Sequence, residues 1–151
     1  MLRFEGDRDF PQAQAEVYAR LTDPRFLVQC IPDVESVTQL EADRASLVLR
    51  PGFAFVRGTL DVTLQVVDAV PPGSARLLLH SKGIGSSANV EAALNLAPEG
   101  NGTRVHWVAE VKELGGLLKM VPGGLIRGAA QKVIGDAWTA VAAKLAAPPG
   151  R

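Results

Sequence analysis

Cysteine, histidine and aromatic side chains are scarce in this 151-residue chain, and it carries no excess charge of either sign. The single cysteine, Cys30, excludes an internal disulfide framework and any metal site built from several cysteines. Two histidines, His80 and His106, leave little material for a histidine-based metal centre. Sixteen basic side chains are matched by sixteen acidic ones, so the Lys/Arg excess that phosphate backbones demand is missing and no nucleic-acid partner is expected. There is also no apolar run long enough to cross a bilayer, because the longest helical stretch is interrupted by Lys132, Asp136 and Lys144. The first ten residues carry a charge every few positions and lack the apolar centre of a signal peptide, which makes the cytoplasm the expected compartment. Only five Phe, two Trp and one Tyr are present.

What the chain does have is small apolar bulk. It is 47 % hydrophobic, with 21 alanines and 15 glycines. That excludes a disordered chain, and the length suits one domain, expected over residues 1–147 with a short tail at 148–151.

The periodicity changes twice along the sequence. Residues 2–10 alternate loosely as a strand. Pro11 is expected to open a short helix with Val17, Tyr18 and Leu21 on its apolar face, and Asp23-Pro24 is a second helix start, ended by Ile31-Pro32-Asp33. From Asp33 to Lys112 the period is two, which predicts strands at 34–40, 45–49, 56–67, 75–82, 87–96 and 103–112. The connections between them are too short for helical crossovers, so the sheet should be an antiparallel meander. Asn101-Gly102 is read as the turn of its last hairpin. Residues 125–146 then take a helical period, with Ile126, Ala130, Val133, Ala137, Val141 and Leu145 in the central apolar row.

The fold class is therefore α+β: a curved antiparallel seven-stranded sheet around a long C-terminal helix, with two short helices between the first two strands. Small residues fall on both facing surfaces. The helix offers Gly128, Ala129, Ala130 and Ala137, and the inward strand parity offers Ala45, Gly58, Ala88, Ala92 and Ala109. That pattern means either close helix–sheet approach or an apolar cavity.

Polar candidates for chemistry are few. His80, His106 and Glu91 fall on the outward parity of their strands, and the two histidines belong to strands that are not neighbours. Ser74, Ser81 and Ser86 have no His or Asp arrangement around them. Lys82-Gly83-Ile84-Gly85 joins two strands and does not open a helix, so it lacks the geometry of a phosphate-binding loop. Arg57 is the one polar residue that a bulge near Gly58 would turn inward. The expected pocket lining is Phe53, Phe55, Leu79, Trp107, Leu117, Leu118, Met120, Leu125, Ala129, Ala130, Val133 and Trp138, and no catalytic residue, metal ligand or cofactor is assigned. Within that set, Leu117 to Pro122 forms an apolar run between paired glycines, read as a pocket mouth or a docking loop.

Several motifs occur in a telling order: Phe4-Glu-Gly, Leu21-Thr-Asp-Pro24, Cys30-Ile-Pro32, Gly58, Gly83-Ile-Gly85, Gly102-Thr103-Arg104-Val105, Leu114-Gly-Gly116 and the Gly/Ala-rich last helix. Together they resemble the CoxG family of carbon monoxide dehydrogenase subunits, within the helix-grip superfamily of START, birch-pollen-allergen and polyketide-cyclase domains. The resemblance implies a hydrophobic pocket between sheet and long helix. It also implies a non-catalytic accessory role beside a molybdenum-containing hydroxylase, with a quinone, fatty acid or similar lipophilic molecule as ligand. Asp33 departs from the family, which usually has Gly after Ile-Pro. Many members continue into a C-terminal membrane-anchoring extension, whereas this sequence stops at Arg151, so peripheral contact is the expected mode of any membrane association. Two other readings use the same features: a cyclase-like or hydrolase-like enzyme working in the same pocket, and an interaction subunit that docks an oxidoreductase.

Overall fold

The computed structural model describes residues 2–50 and 58–146. Strand β1 (Leu2–Phe10) leads into two short helices, α1 (Gln14–Leu21) and α2 (Pro24–Leu27). Six strands follow: β2 (Val34–Leu40), β3 (Arg44–Leu49), β4 (Leu60–Val70), β5 (Ser74–Gly83), β6 (Ser86–Glu99) and β7 (Gly102–Gly116). A single 3₁₀ turn at Leu117–Met120 then precedes the long helix α3 (Gly123–Ala146). All pairings are antiparallel and the spatial order is β1-β7-β6-β5-β4-β3-β2. Strands β2 to β7 thus form the meander that the period-two pattern predicts, and β1 completes the seven-stranded sheet at the edge beside β7.

Local sequence explains the boundaries. At α2, the Asp23 carboxylate accepts the Arg25 amide at 3.0 Å and Pro24 takes the first helical position, a cap that stabilises by about 1 kcal/mol. Pro11 lies before α1, whose first helical residue is Gln14. The last hairpin turns on Gly100-Asn101, one residue earlier than the Asn-Gly signal suggests. Gly100 takes the left-handed φ of 59°, and Gly102 already pairs with Glu99. Strands β6 and β7 outrun the alternating pattern, continuing to Glu99 and Gly116, with a register shift at Asn89/Val90 that lets Lys112 bulge.

The two faces of the sheet divide cleanly. On the convex face ion pairs stitch neighbouring strands: Arg76 to Asp68 and Glu91, Lys112 to Glu91 and Glu110, and Arg104 to Asp9 and Glu99. Each is solvent-exposed and adds little stability alone. The Arg104–Asp9 pair, with His106 bonded to Asp7 at 2.9 Å, joins edge strand β1 to β7.

The concave face is apolar and its two ends differ. At one end α1 is clamped by polar bonds to the surrounding backbone. The Tyr18 hydroxyl donates to Ser74 O (2.9 Å), the Gln14 amide to Leu96 O (3.1 Å), and the Gln12 amide to Leu145 O (3.1 Å). Thr103, only 1 % exposed, donates to Gln12 O at 2.8 Å. Here Phe10, Val17, Leu21, Phe26, Leu94, Leu96, Val105, Trp138, Val141 and Leu145 pack into the main core. Smaller clusters flank it, one under α2 around Ala45, Leu47 and Val62, the other around Phe4, Ala109 and Val111.

Candidate functional site

The opposite end of the helix–sheet interface is not closed. In the C-terminal half of α3, Trp138, Val141 and Leu145 are buried. In its N-terminal half only Ile126 is, while Ala129, Ala130, Val133, Ile134 and Ala137 all retain accessible surface. The facing strands show the same gradient. Ala75 on β5 and Leu94 and Leu96 on β6 are buried, whereas Leu77, Leu79 and Ser81 on β5 and Ala88, Val90 and Ala92 on β6 are half-buried. These positions share the concave face because Leu77 pairs with Ala92, Leu79 with Val90 and Ser81 with Ala88. Apolar side chains in the middle of a sheet and on the inner face of its covering helix would be fully buried in a closed core. Their residual exposure distinguishes this end of the interface from the closed end, although Leu77, Leu79 and Ile134 pack against the main core and Val90, Ala92 and Ala130 against the Phe4 cluster.

The residues named from sequence distribute as follows. Leu79, Ala129, Ala130 and Val133 are half-buried, and Leu118 sits half-buried at the 3₁₀ turn. Trp138 is buried at the closed end of the interface, at a 6.0 Å centroid distance from both Phe10 and Trp107. Leu117, Met120 and Leu125 project outward, 57 %, 81 % and 52 % exposed. They form an apolar rim, because the turn from Gly116 into α3 is too short to fold them back over the sheet. Phe53, Phe55 and Arg57 lie outside the described residues. Gly58 and Gly128, expected on the facing surfaces, are both exposed. A Cβ at Gly128 would meet nothing within 4 Å, and Gly58 takes a φ of 108°.

Four half-buried neighbours of these positions fall outside the sequence assignment of the site: Leu77, Val90, Ile134 and Ala137. Leu77 is hidden because Leu77-Leu78-Leu79 is an unbroken apolar run whose parity cannot be read without the pairing partner. Ile134 and Ala137 are legible in the helical row but not as members of an opening.

The titratable side chains considered from sequence lie on the convex face, and the buried Cys30 and Tyr18 are held toward their neutral forms. His80 bonds Asn89 at 2.5 Å on the convex face, and Glu91 accepts from Arg76 there. Burial pushes the Cys30 thiol up to about 11, so it is no thiolate nucleophile at neutral pH, and burial also raises the Tyr18 phenol. Gly83-Ile84-Gly85 is a hairpin corner with left-handed Ile84 and Gly85, and a Cβ at Gly83 would lie 2.6 Å from Thr59 O. Among the described residues there is no group of three His, Cys, Asp or Glu side chains able to hold a metal, and no helix long and apolar enough to cross a membrane.

The fold recurs in solved structures. A conserved protein from Geobacillus kaustophilus superposes with a TM-score of 0.85 at 26 % identity, covering 96 % of this chain and 95 % of that one. A protein from Arthrobacter aurescens gives a TM-score of 0.67 at 16 % identity, with coverage of 98 % and 88 %. A STAR-related lipid transfer protein from Xanthomonas axonopodis gives 0.60 at 14 % identity, with coverage of 95 % and 85 %. No curated protein sequence matches the chain. The sequence model of one family, however, matches residues 6–146, almost the whole of the described helix-grip architecture, and on that match the chain belongs to the CoxG family of carbon monoxide dehydrogenase subunits.

Proposed function

We propose that this protein is a non-catalytic binding module that holds a lipophilic small molecule between the concave sheet face and the N-terminal half of α3. The observation that carries this reading is the residual exposure of Leu77, Leu79, Val90 and Ala92 opposite Ala130, Val133, Ile134 and Ala137. A flexible apolar guest with one polar end, such as a quinone or fatty acid, suits a space lined this way. Family membership and the fold shared with a STAR-related lipid transfer protein support the same class of ligand. Native mass spectrometry of protein purified from cells, followed by solvent extraction, should reveal a bound guest. Protein emptied in this way should take up the neutral probe Nile red saturably at about one per chain. The absence of both a guest and saturable uptake overturns the proposal.

The exposed rim favours a second, compatible role. Leu117, Met120 and Leu125 present apolar surface between the glycine pairs 115–116 and 123–124, as a docking loop would. The partner that family membership suggests is a molybdenum hydroxylase of carbon monoxide dehydrogenase type. Co-purification from the native organism tests this. Met120→Glu should abolish the complex without unfolding the domain, since the side chain is 81 % exposed. An enzyme of cyclase or hydrolase type requires at least two titratable groups converging on the guest, and no observation favours that reading.

A further inference from the structure

A second recess lies on the other side of α3, where the helix passes edge strand β1. It is an open groove of about 390 Å³, lined by Arg3, Phe4, Glu5, Arg8, Trp107, Arg127, Gln131, Ile134 and Gly135. Its floor is aromatic and its rim is cationic. Gly6 pairs directly with Trp107 across β1 and β7, and a Cβ at Gly6 would lie 3.2 Å from the indole ring, so the missing side chain is what admits the ring beneath β1. The indole Nε1 is buried there, and among the described residues it has no hydrogen-bond partner. Arg127 stacks over the Phe4 ring with its guanidinium carbon 5.3 Å from the centroid.

The charges around the groove do not cancel. Arg3 shares Glu5 at 3.1 Å, but among the described residues neither Arg8 nor Arg127 has a carboxylate within salt-bridge distance. Arg25, Arg50, Arg76 and Arg104 are paired, whereas Arg20 and Arg44 share with Arg8 and Arg127 the lack of a carboxylate partner among the described residues. Arg8 is notable for a second reason. Its register partner is Val105, which places it on the apolar parity of β1, between Gly6 and Phe10. An unpaired guanidinium at an inward-parity position, a second one on the facing helix, an aromatic floor and an unsatisfied indole donor together describe a receptor for an organic anion.

We propose that the β1–α3 groove binds an amphipathic organic anion, a carboxylate or phosphate monoester, with its charge between Arg8 and Arg127 and its apolar part over Phe4, Trp107 and Ile134. The groove shares Ile134 with the concave interface but opens on its β1 side, and Arg8 and Arg127 set it apart. The anion has two available sources, a freely soluble amphiphile or an anionic headgroup at a lipid surface, and the recognising chemistry is common to both.

The test uses decanoate and dodecyl phosphate as soluble anions, decanol as the uncharged analogue, and vesicles of phosphatidylcholine with and without phosphatidylglycerol. Calorimetric titration of the full chain should give saturable binding of the anions that weakens with added salt. The variant Arg8→Ala/Arg127→Ala, which removes only exposed side chains, should weaken the anions at least tenfold and leave decanol unchanged. Gly6→Ala, whose Cβ would crowd the indole at 3.2 Å and shift it by a few tenths of an ångström, should weaken them while circular dichroism stays native. Sedimentation with the phosphatidylglycerol vesicles that is lost in the arginine variant identifies the lipid surface as the source. Binding of monomeric anion alone identifies the soluble one. Equal affinity for decanol and decanoate, or anion binding and vesicle sedimentation that both survive the arginine double variant, overturns the proposal. A guest found by solvent extraction but insensitive to the arginine variant belongs to the concave face, which separates failure of this inference from failure of the carrier reading.

Discussion

Asp33 shows how one backbone angle can explain a departure from a family pattern. It sits in the left-handed region at φ 64°, and its carbonyl accepts the Arg50 amide at 2.9 Å, anchoring the start of β2. An L-residue there is strained and glycine is not, which accounts for the glycine that the family resemblance leads one to expect after Ile-Pro. Asp33→Gly should therefore raise stability by up to about 1 kcal/mol in urea denaturation, the relief of strain exceeding the extra flexibility of the unfolded chain. A fall instead would show that the flexibility glycine adds to the unfolded chain outweighs the relief of strain. Cys30 makes a pH-dependent prediction. Its thiol is held at about 11 in the folded protein against an ordinary value of 9.0, so the unfolded chain loses this proton first as pH rises. Stability contributed by the buried neutral thiol is complete below pH 9 and disappears progressively toward pH 11, and Tyr18, also raised by burial, adds to the same trend at higher pH. Cys30→Ala should flatten the decline measured by urea midpoints between pH 9 and 11.

At the scale of elements, glycines separate into those the fold requires and those it merely tolerates. A Cβ at Gly116 would collide with the Gly85 carbonyl, and one at Gly102 with the Phe10 carbonyl, so alanine at either position must displace backbone. At Gly128, inside α3, a Cβ meets nothing within 4 Å. Gly128→Ala should stabilise by about 0.5–1 kcal/mol, since glycine in a helix interior gives up backbone entropy without return, whereas Gly116→Ala should lower the thermal midpoint. The same contrast explains what is legible from sequence. Strand β2 and the capped start of α2 follow local signals and match them closely. The ends of β6 and β7 do not. Ala97-Pro98-Glu99 and Glu113-Leu114-Gly115 break alternation, and only pairing with neighbouring strand residues and the close approach of Ser87 to Gly115 keep them extended. The apolar lining of α3 is readable as a stripe, but its division into a buried C-terminal half and a half-open N-terminal half depends on which end α1 closes. The anion groove has no sequence signature at all. Arg3, Arg8 and Arg127 become neighbours only because β1 returns to pair with β7 beneath the helix.

For the molecule as a whole, the decisive property is whether its two facing surfaces leave room, and adding volume distinguishes the alternatives by sign. Ala92 and Ala137 are half-buried on opposite sides of the interface, whereas Ala45 is 0 % exposed in the closed cluster under α2. Leucine at Ala45 must overpack that cluster and should destabilise by about 1–3 kcal/mol. Leucine at Ala92 or Ala137 enters unfilled apolar space, where each added methylene contributes up to about 0.8 kcal/mol, so the ligand-free protein should be no less stable than the parent. Uptake of Nile red should meanwhile fall at least tenfold, because the added side chain occupies the volume that the guest would fill. The urea midpoint and the Nile red titration, measured on the same three variants, make the two effects independent. Stability lost at Ala92 and Ala137 to the same degree as at Ala45 would mean the interface is already full, and a lipophilic guest would then have no place between the sheet and α3.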